Sequence, residues 1–330
     1  PLSPALSRKG RGRKTPPESS VAAAMTAILF IEQMLNGLGY GLMLFLLAAG
    51  LTLVFGIMDV MNLAHGSLFM GGAYVAATVH TASGSFVMAV ASAVLLVVVL
   101  AVLLEWLLVR HLYGRDHLSQ VLATFGVILV ADDVAKMIWG PAPVMASAPQ
   151  ALSGAVELMP GLPYPAYRLV ILAAGVLVAL GLYALVNHTR MGMLVRAGAS
   201  NRAMAEFMGV RVDRVFSLVF LLGAALAALA GALMGPLTAV QVGMGEEILI
   251  PSLVVLVIGG IGSVRGAFVA AMLVGLVDTI GRAFVPMALR GVLPPTLVSD
   301  LGPLIAGLAT YALMAVVLAV KPTGLFPARG

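Results

Sequence analysis

Long apolar runs recur along the whole chain, and several approach the roughly 20 residues that a helix needs to cross hydrocarbon. The chain of 330 residues is 61% hydrophobic and 10% charged, with a mean hydropathy of +1.07. A soluble domain carries about 25% charged residues, so that class is excluded. What remains is an all-α polytopic membrane protein embedded in the lipid bilayer. Its 37 glycines fit this class, because glycine is tolerated in membrane helices and lets their backbones approach closely. No cysteine is present, which excludes thiol catalysis, thiolate metal sites and disulfides.

The net charge of +5 is unevenly placed. Residues 1–24 hold Arg8, Lys9, Arg11, Arg13 and Lys14 against Glu18, and Met25 opens a plausible hydrophobic N-terminus. Residues 1–24 are therefore expected to be a disordered basic tail or upstream extension, and 25–330 a single transmembrane domain. Without the tail the balance falls to about +1, which gives no support for a nucleic-acid partner.

Hydropathy predicts membrane segments at 36–57, 60–79, 86–109, 118–139, 166–186, 215–238, 246–262, 266–285 and 301–320. Lys and Arg set the orientation. The connection 187–214 holds Arg190, Arg196, Arg202, Arg211 and Arg214, and 110–117 holds Arg110 and Arg115, so both are expected in the cytoplasm. The connection 140–165 has no Lys or Arg, and 241–247 has Glu246 and Glu247 alone, so both are expected outside. Arg265 and the C-terminal Lys321 and Arg329 fall inside, whereas Arg282 and Arg290 break the rule.

The segment 60–79 decides the count. GIMDVMNLAHGSLFMGGAY (56–74) sets Asp59, Asn62 and His65 at i, i+3, i+6, one face of a helix, where a span should be. Polar side chains and glycine at membrane depth are what a broken or re-entrant segment requires. If 60–79 re-enters there are about eight transmembrane helices, and if it crosses there are nine. Asn62, His65 and Gly66 are candidates for lining a translocation pathway. Alternatively, Asn62 and His65 hydrogen-bond backbone groups freed where the helix breaks around Gly66.

Within 187–214, ASNRAMAEFMGV reads as a short helix, capped by Ser200 or Asn201 and stopped by Gly209. Met204, Phe207 and Met208 form an apolar stripe on an otherwise polar element. Such a helix can dock into a partner's groove or lie on lipid headgroups.

Several stretches resemble one known family. RAGASNRAMAEFMGVRVDRV is similar to the cytoplasmic coupling segment of ABC-transporter permeases. GIMDVMNLAHGSLFMGGAYVA, LATFGVILVADDVAKMIWGP, IGGIGSVRGAFVAAMLVGLVD and the ending KPTGLF resemble, in order, the signatures of the branched-chain amino acid permease family of LivH type. The resemblance implies an ABC importer permease fold and a subunit that does no chemistry and binds no cofactor itself. It implies a second, LivM-like permease, two ATP-binding subunits and a periplasmic solute-binding protein as partners, at the bacterial inner membrane. The chain has no Gly-Lys dipeptide and hence no phosphate-binding Walker A loop. Arg196, Asn201, Arg202, Met204, Glu206, Phe207 and Gly209 are then expected at the ATPase contact. Arg265, where the family more often has Pro, and Asn201, near which many members are acidic, depart from the pattern and bear on the substrate.

Four further features have plainer readings. Asp132 and Asp133 lie i+4 and i+3 from Lys136, which favours a neutralising pair over a proton relay. Asp278 reads as an isolated interfacial carboxylate. Gly223, Ala227, Gly231 and Gly235 repeat every four residues, a helix-packing face. GGIGSVRGA (259–267) lacks the context of a dinucleotide site and reads as a tight helix–turn–helix. An ion-coupled secondary transporter remains the rival reading, resting on Asp132, Asp133 and Asp278. A passive channel lacks a use for the coupling helix, and an intramembrane serine protease lacks its Gly-x-Ser-Gly motif.

Overall fold

The structure, a computed structural model, describes residues 18–291 and 293–326, with side chains from Met25 onward except at 199, 200, 202 and 203. Of the expected tail, residues 1–17 lie outside the described residues, and the backbone is already helical from Glu18. Helix α1 (Glu18–Met58) is followed by α2 (His65–Ser83), α3 (Phe86–Leu112), α4 (His117–Trp139) and α5 (Ala166–His188). Two short helices follow, α6 (Arg190–Ser200) and α7 (Arg202–Phe207). Then come α8 (Val212–Met234), α9 (Met244–Gly259), α10 (Val264–Leu289) and α11 (Pro295–Val320). Six of these, α1 from Met25, α3, α5, α8, α10 and α11, are long and apolar enough to cross a membrane. A small hairpin in the outer connection, β1 (Ala155–Met159) antiparallel to β2 (Leu162–Pro165), pairs Val156 with Tyr164 and was not anticipated.

Segment 60–79 is broken, and its helical part runs along the bundle. Asp59 takes a left-handed backbone (φ 51°) that ends α1, and helix resumes only at His65. From there α2 runs on to the end of the bundle opposite the basic connections. Its C-terminal turn carries Thr78, which accepts from Trp139 Nε1 at the far end of α4 (2.7 Å). The i, i+3, i+6 face of Asp59, Asn62 and His65 therefore never forms, because residues 59–64 are not helical.

Helix directions follow from where backbones touch. Gly37 meets Leu276 and Gly41 meets Met272, so α10 is antiparallel to α1. Gly39 meets Leu172 and Gly175 meets Leu42, so α5 is parallel to α1. Tyr167, at the start of α5, donates its hydroxyl to Leu233 O at the end of α8 (2.8 Å), so α8 runs against α5 and α1. Along α2 and α8, His65 lies by Gly223 and Gly72 by Ala228, a parallel pair. Tight turns reverse α3 on α2 and α10 on α9, and Gly302 against Pro286 sets α11 antiparallel to α10.

Two four-helix groups emerge, α1–α4 and α8–α11, of opposite direction throughout. In each, the second helix is short and preceded by non-helical chain, 59–64 before α2 and 235–243 before α9. The groups meet about a pseudo-twofold marked by glycine facing glycine. A Cβ on Gly66 would lie 2.4 Å from Gly245 O, and one on Gly245 would lie 2.5 Å from Gly66 O. Gly50 and Gly223 form a second such pair. In lipid there is no water to expel from between helices, so this close van der Waals approach carries the association. An inverted pair of groups with discontinuous helices at the interface is a recurrent transporter architecture.

Candidate functional site

The first site is the break itself. The N-termini of α2 and α9 abut at Gly66 and Gly245, deep in the bundle. Backbone polar groups at such depth need partners inside the protein. Helix α4 supplies them: Gln120 Oε1 accepts from Met61 N (2.9 Å), while its Nε2 donates to Asp59 O (3.3 Å) and Arg115 O (3.1 Å). One turn on, Thr124 Oγ1 accepts from Leu63 N (3.2 Å). Gln120 and Thr124 escaped the sequence reading, although a Gln and a Thr at i, i+4 inside an apolar run are a legible signal. Asp116 caps α4, and the Ser119 hydroxyl and amide hold its carboxyl below the usual carboxylate range.

Asn62 is 2% exposed and His65 1%. The His65 ring wedges between Gly50 and Gly223, where a side chain on Gly50 would strike it at 2.7 Å. The Asn62 amide, His65 Nε2 and the Ser67 hydroxyl make no further hydrogen bond among the described residues, and neither do the buried Glu246 carboxylate oxygens. Gly223 turns to Gly50 of α1 and Gly231 packs on Phe69 O of α2, while Ala227 is buried and Gly235 only brushes Val240. Asn62, His65 and Gly66 do not line a cavity of about 490 Å³, which lies at the end of the bundle away from the basic connections.

The second site is the basic connection. Thr189 caps α6 by accepting from Gly192 N (3.2 Å), and Arg196 reaches back to Val186 O. Helix α6 was not foreseen. Asn201 caps α7, its Oδ1 accepting from Met204 N (2.9 Å). Gly209 ends that turn at φ 84°, a conformation that suits glycine. Ala205 is buried and anchors α7, while Met204, Phe207 (87% exposed) and Met208 (78%) turn outward with Glu206. The Arg202 side chain lies outside the described residues. Close by, Glu105 in a π-turn of α3 is buried and accepts from Ser217 of α8 (2.9 Å), Tyr113 (3.1 Å) and Arg110 (3.3 Å). This tie between the two groups was also missed.

The remaining candidates are structural. Lys136 pairs with Asp133 at 3.1 Å. Asp278 is not isolated, because Arg282 one turn later binds it at 2.8 Å. Residues 259–267 form a helix–turn–helix in which Ser263 accepts from Gly266 N (3.1 Å). The KPTGLF ending folds back on it, Leu325 N and Phe326 N donating to Ile258 O and Gly259 O.

Residues 33–320 match the family described as the branched-chain amino acid transport system permease component. The chain is 28% identical to the high-affinity branched-chain amino acid transport system permease protein LivH of Escherichia coli (strain K12), over 90% of this chain and 96% of that protein. It is 27% identical to the permease protein BraD of Pseudomonas aeruginosa, over 90% and 95%. A probable LivH of Methanocaldococcus jannaschii is 27% identical over 73% and 78%. No solved structure matches.

Proposed function

The chain belongs to the branched-chain amino acid permease family, and on that premise we propose that α7 is the lever through which separate ATPases drive it. The protein is a multi-pass inner-membrane permease subunit of a bacterial ABC importer for branched-chain amino acids or a related small polar solute. Its full assembly holds a second, LivM-like permease, two ATP-binding subunits and a periplasmic solute-binding protein.

The observation that carries this reading is the exposed apolar stripe of Met204, Phe207 and Met208 on a helix held rigidly by its cap, its buried Ala205 and its glycine exit. A stripe of this kind fits a groove on a partner. Arg196, Asn201 and Gly209 fix the lever's angle, whereas Glu206 and Arg202 meet the ATPase. Closure of the ATPase dimer moves α7, and the movement opens the interface of the two groups where Asn62, His65 and Gly66 border the path. Glu206→Arg and Gly209→Pro should leave the protein inserted. The latter demands φ near −65° where the backbone needs φ 84°. Leucine uptake by reconstituted transporter should fall at least about tenfold in each while ATP hydrolysis persists. Undiminished uptake in both removes the lever. The rival ion-coupled transporter is excluded if uptake needs ATP and partner subunits and ignores ionophores.

A further inference from the structure

We propose that the cavity at the outer end of the bundle is a waypoint for an α-amino acid, its carboxylate held by Arg168. The proposal rests on the permease reading above and adds to it a site within this subunit. At about 490 Å³ the cavity has the size of a small-molecule site. Arg168, half-buried on its wall, hydrogen-bonds the Asn36 side-chain oxygen. Tyr164 donates to that same oxygen (3.0 Å), and the Asn36 amide nitrogen donates to Gln33 (3.3 Å), so Asn36 is fixed from two sides.

No carboxylate lies within 4.0 Å of the Arg168 guanidinium among the described residues, in contrast to Arg110 and Arg282. A guanidinium has five donors in a planar fork, and the Asn36 oxygen and the Tyr164 hydroxyl leave the others for a ligand. Arg168 stands half-buried in the first turn of α5, and the nearby Glu32, whose charge reaches Tyr164, makes no ion pair with it. The same wall carries Arg282, one of the arginines that break the positive-inside pattern, here steered by Asp278 (2.8 Å). Across Tyr40 and Arg282 lies a smaller cavity of about 200 Å³ lined by Glu247 and Asp278. The charged side chains on the wall of the larger cavity are thus Arg168 and Arg282, and the carboxylates line the neighbouring one, so the first charge a solute meets there suits its carboxylate. Met43, Ile171, Met234 and Leu237 supply the apolar surface for an aliphatic side chain.

Weak binding is read by saturation-transfer NMR on the assembled transporter in nanodiscs, without the solute-binding protein. Transfer to the methyl groups of leucine is expected, and transfer to leucinol, which lacks the carboxylate, is not. Arg168→Gln should lower the leucine signal and reconstituted uptake at least about tenfold, the loss of a charge-assisted fork, while stimulated ATP hydrolysis stays near wild type. Arg168→Lys should recover part of both. Equal transfer to leucine and leucinol overturns the proposal whether or not a variant folds. So does the absence of transfer to leucine, which would leave a lipid headgroup as the occupant. ATP-driven leucine uptake by the wild type, measured in the same preparation, reports separately on the permease reading.

Discussion

The two broken helices are reached in different ways, and the difference locates rigidity and freedom. Residues 59–64, leading into α2, are clamped from α4 by Gln120 and Thr124, with the Gln120 side chain 2% exposed. Residues 235–243, leading into α9, are tied by one isolated bridge, Val144 with Val240, and end at Gly243 with φ 89°. One lead-in is a buried polar plug at the basic end. The other is a loosely tethered strap at the outer end, beside the cavity that Arg168 lines. A pseudo-symmetric scaffold thus carries two unlike lead-ins, one held by buried side chains and the other by a backbone bridge.

The largest effect is expected at the point the two breaks share. Gly66→Leu must displace the Gly245 carbonyl, and its cost should exceed about 4 kcal/mol, seen as loss of monodisperse protein after extraction. A well-folded variant would mean that the paired helix ends can part freely. Next, Gln120→Ala leaves the Met61 N–H and several carbonyls unserved and should destabilise by about 2 kcal/mol, lowering the thermal midpoint. The smallest effect is expected for Val144→Pro, which removes one donor to Val240 O (2.8 Å) from a half-buried position and should cost about 1 kcal/mol. If Val144→Pro proved the more damaging of the last two, the ranking of the two lead-ins would be reversed.

Much of this was legible in the sequence, and unevenly so. Apolar runs gave the long spans because hydrocarbon tolerates little else, and Asn201 and Gly209 marked the ends of α7 because caps are local chemistry. The break at 59–64 was signalled by polar residues in a span, but its course was not, since direction depends on what α8 and α4 offer in space. Asp278 looked solitary because Arg282 was weighed only for topology, though four residues separate them on one helix face. The inverted relation of the two groups rests on Gly50, Gly66, Gly223 and Gly245 meeting across the axis. Contacts between distant glycines leave no periodic trace in a single chain.

The C-terminal strap over the α9–α10 turn has a consequence for biosynthesis. The carbonyls of Ile258 and Gly259 are served by Leu325 and Phe326, which a ribosome delivers only after α10 and α11 have been made. At about 5–20 residues per second that interval lasts on the order of seconds. Throughout it the newborn hairpin must borrow water or the insertion machinery, so this seam of the subunit stays open until α11 has been made.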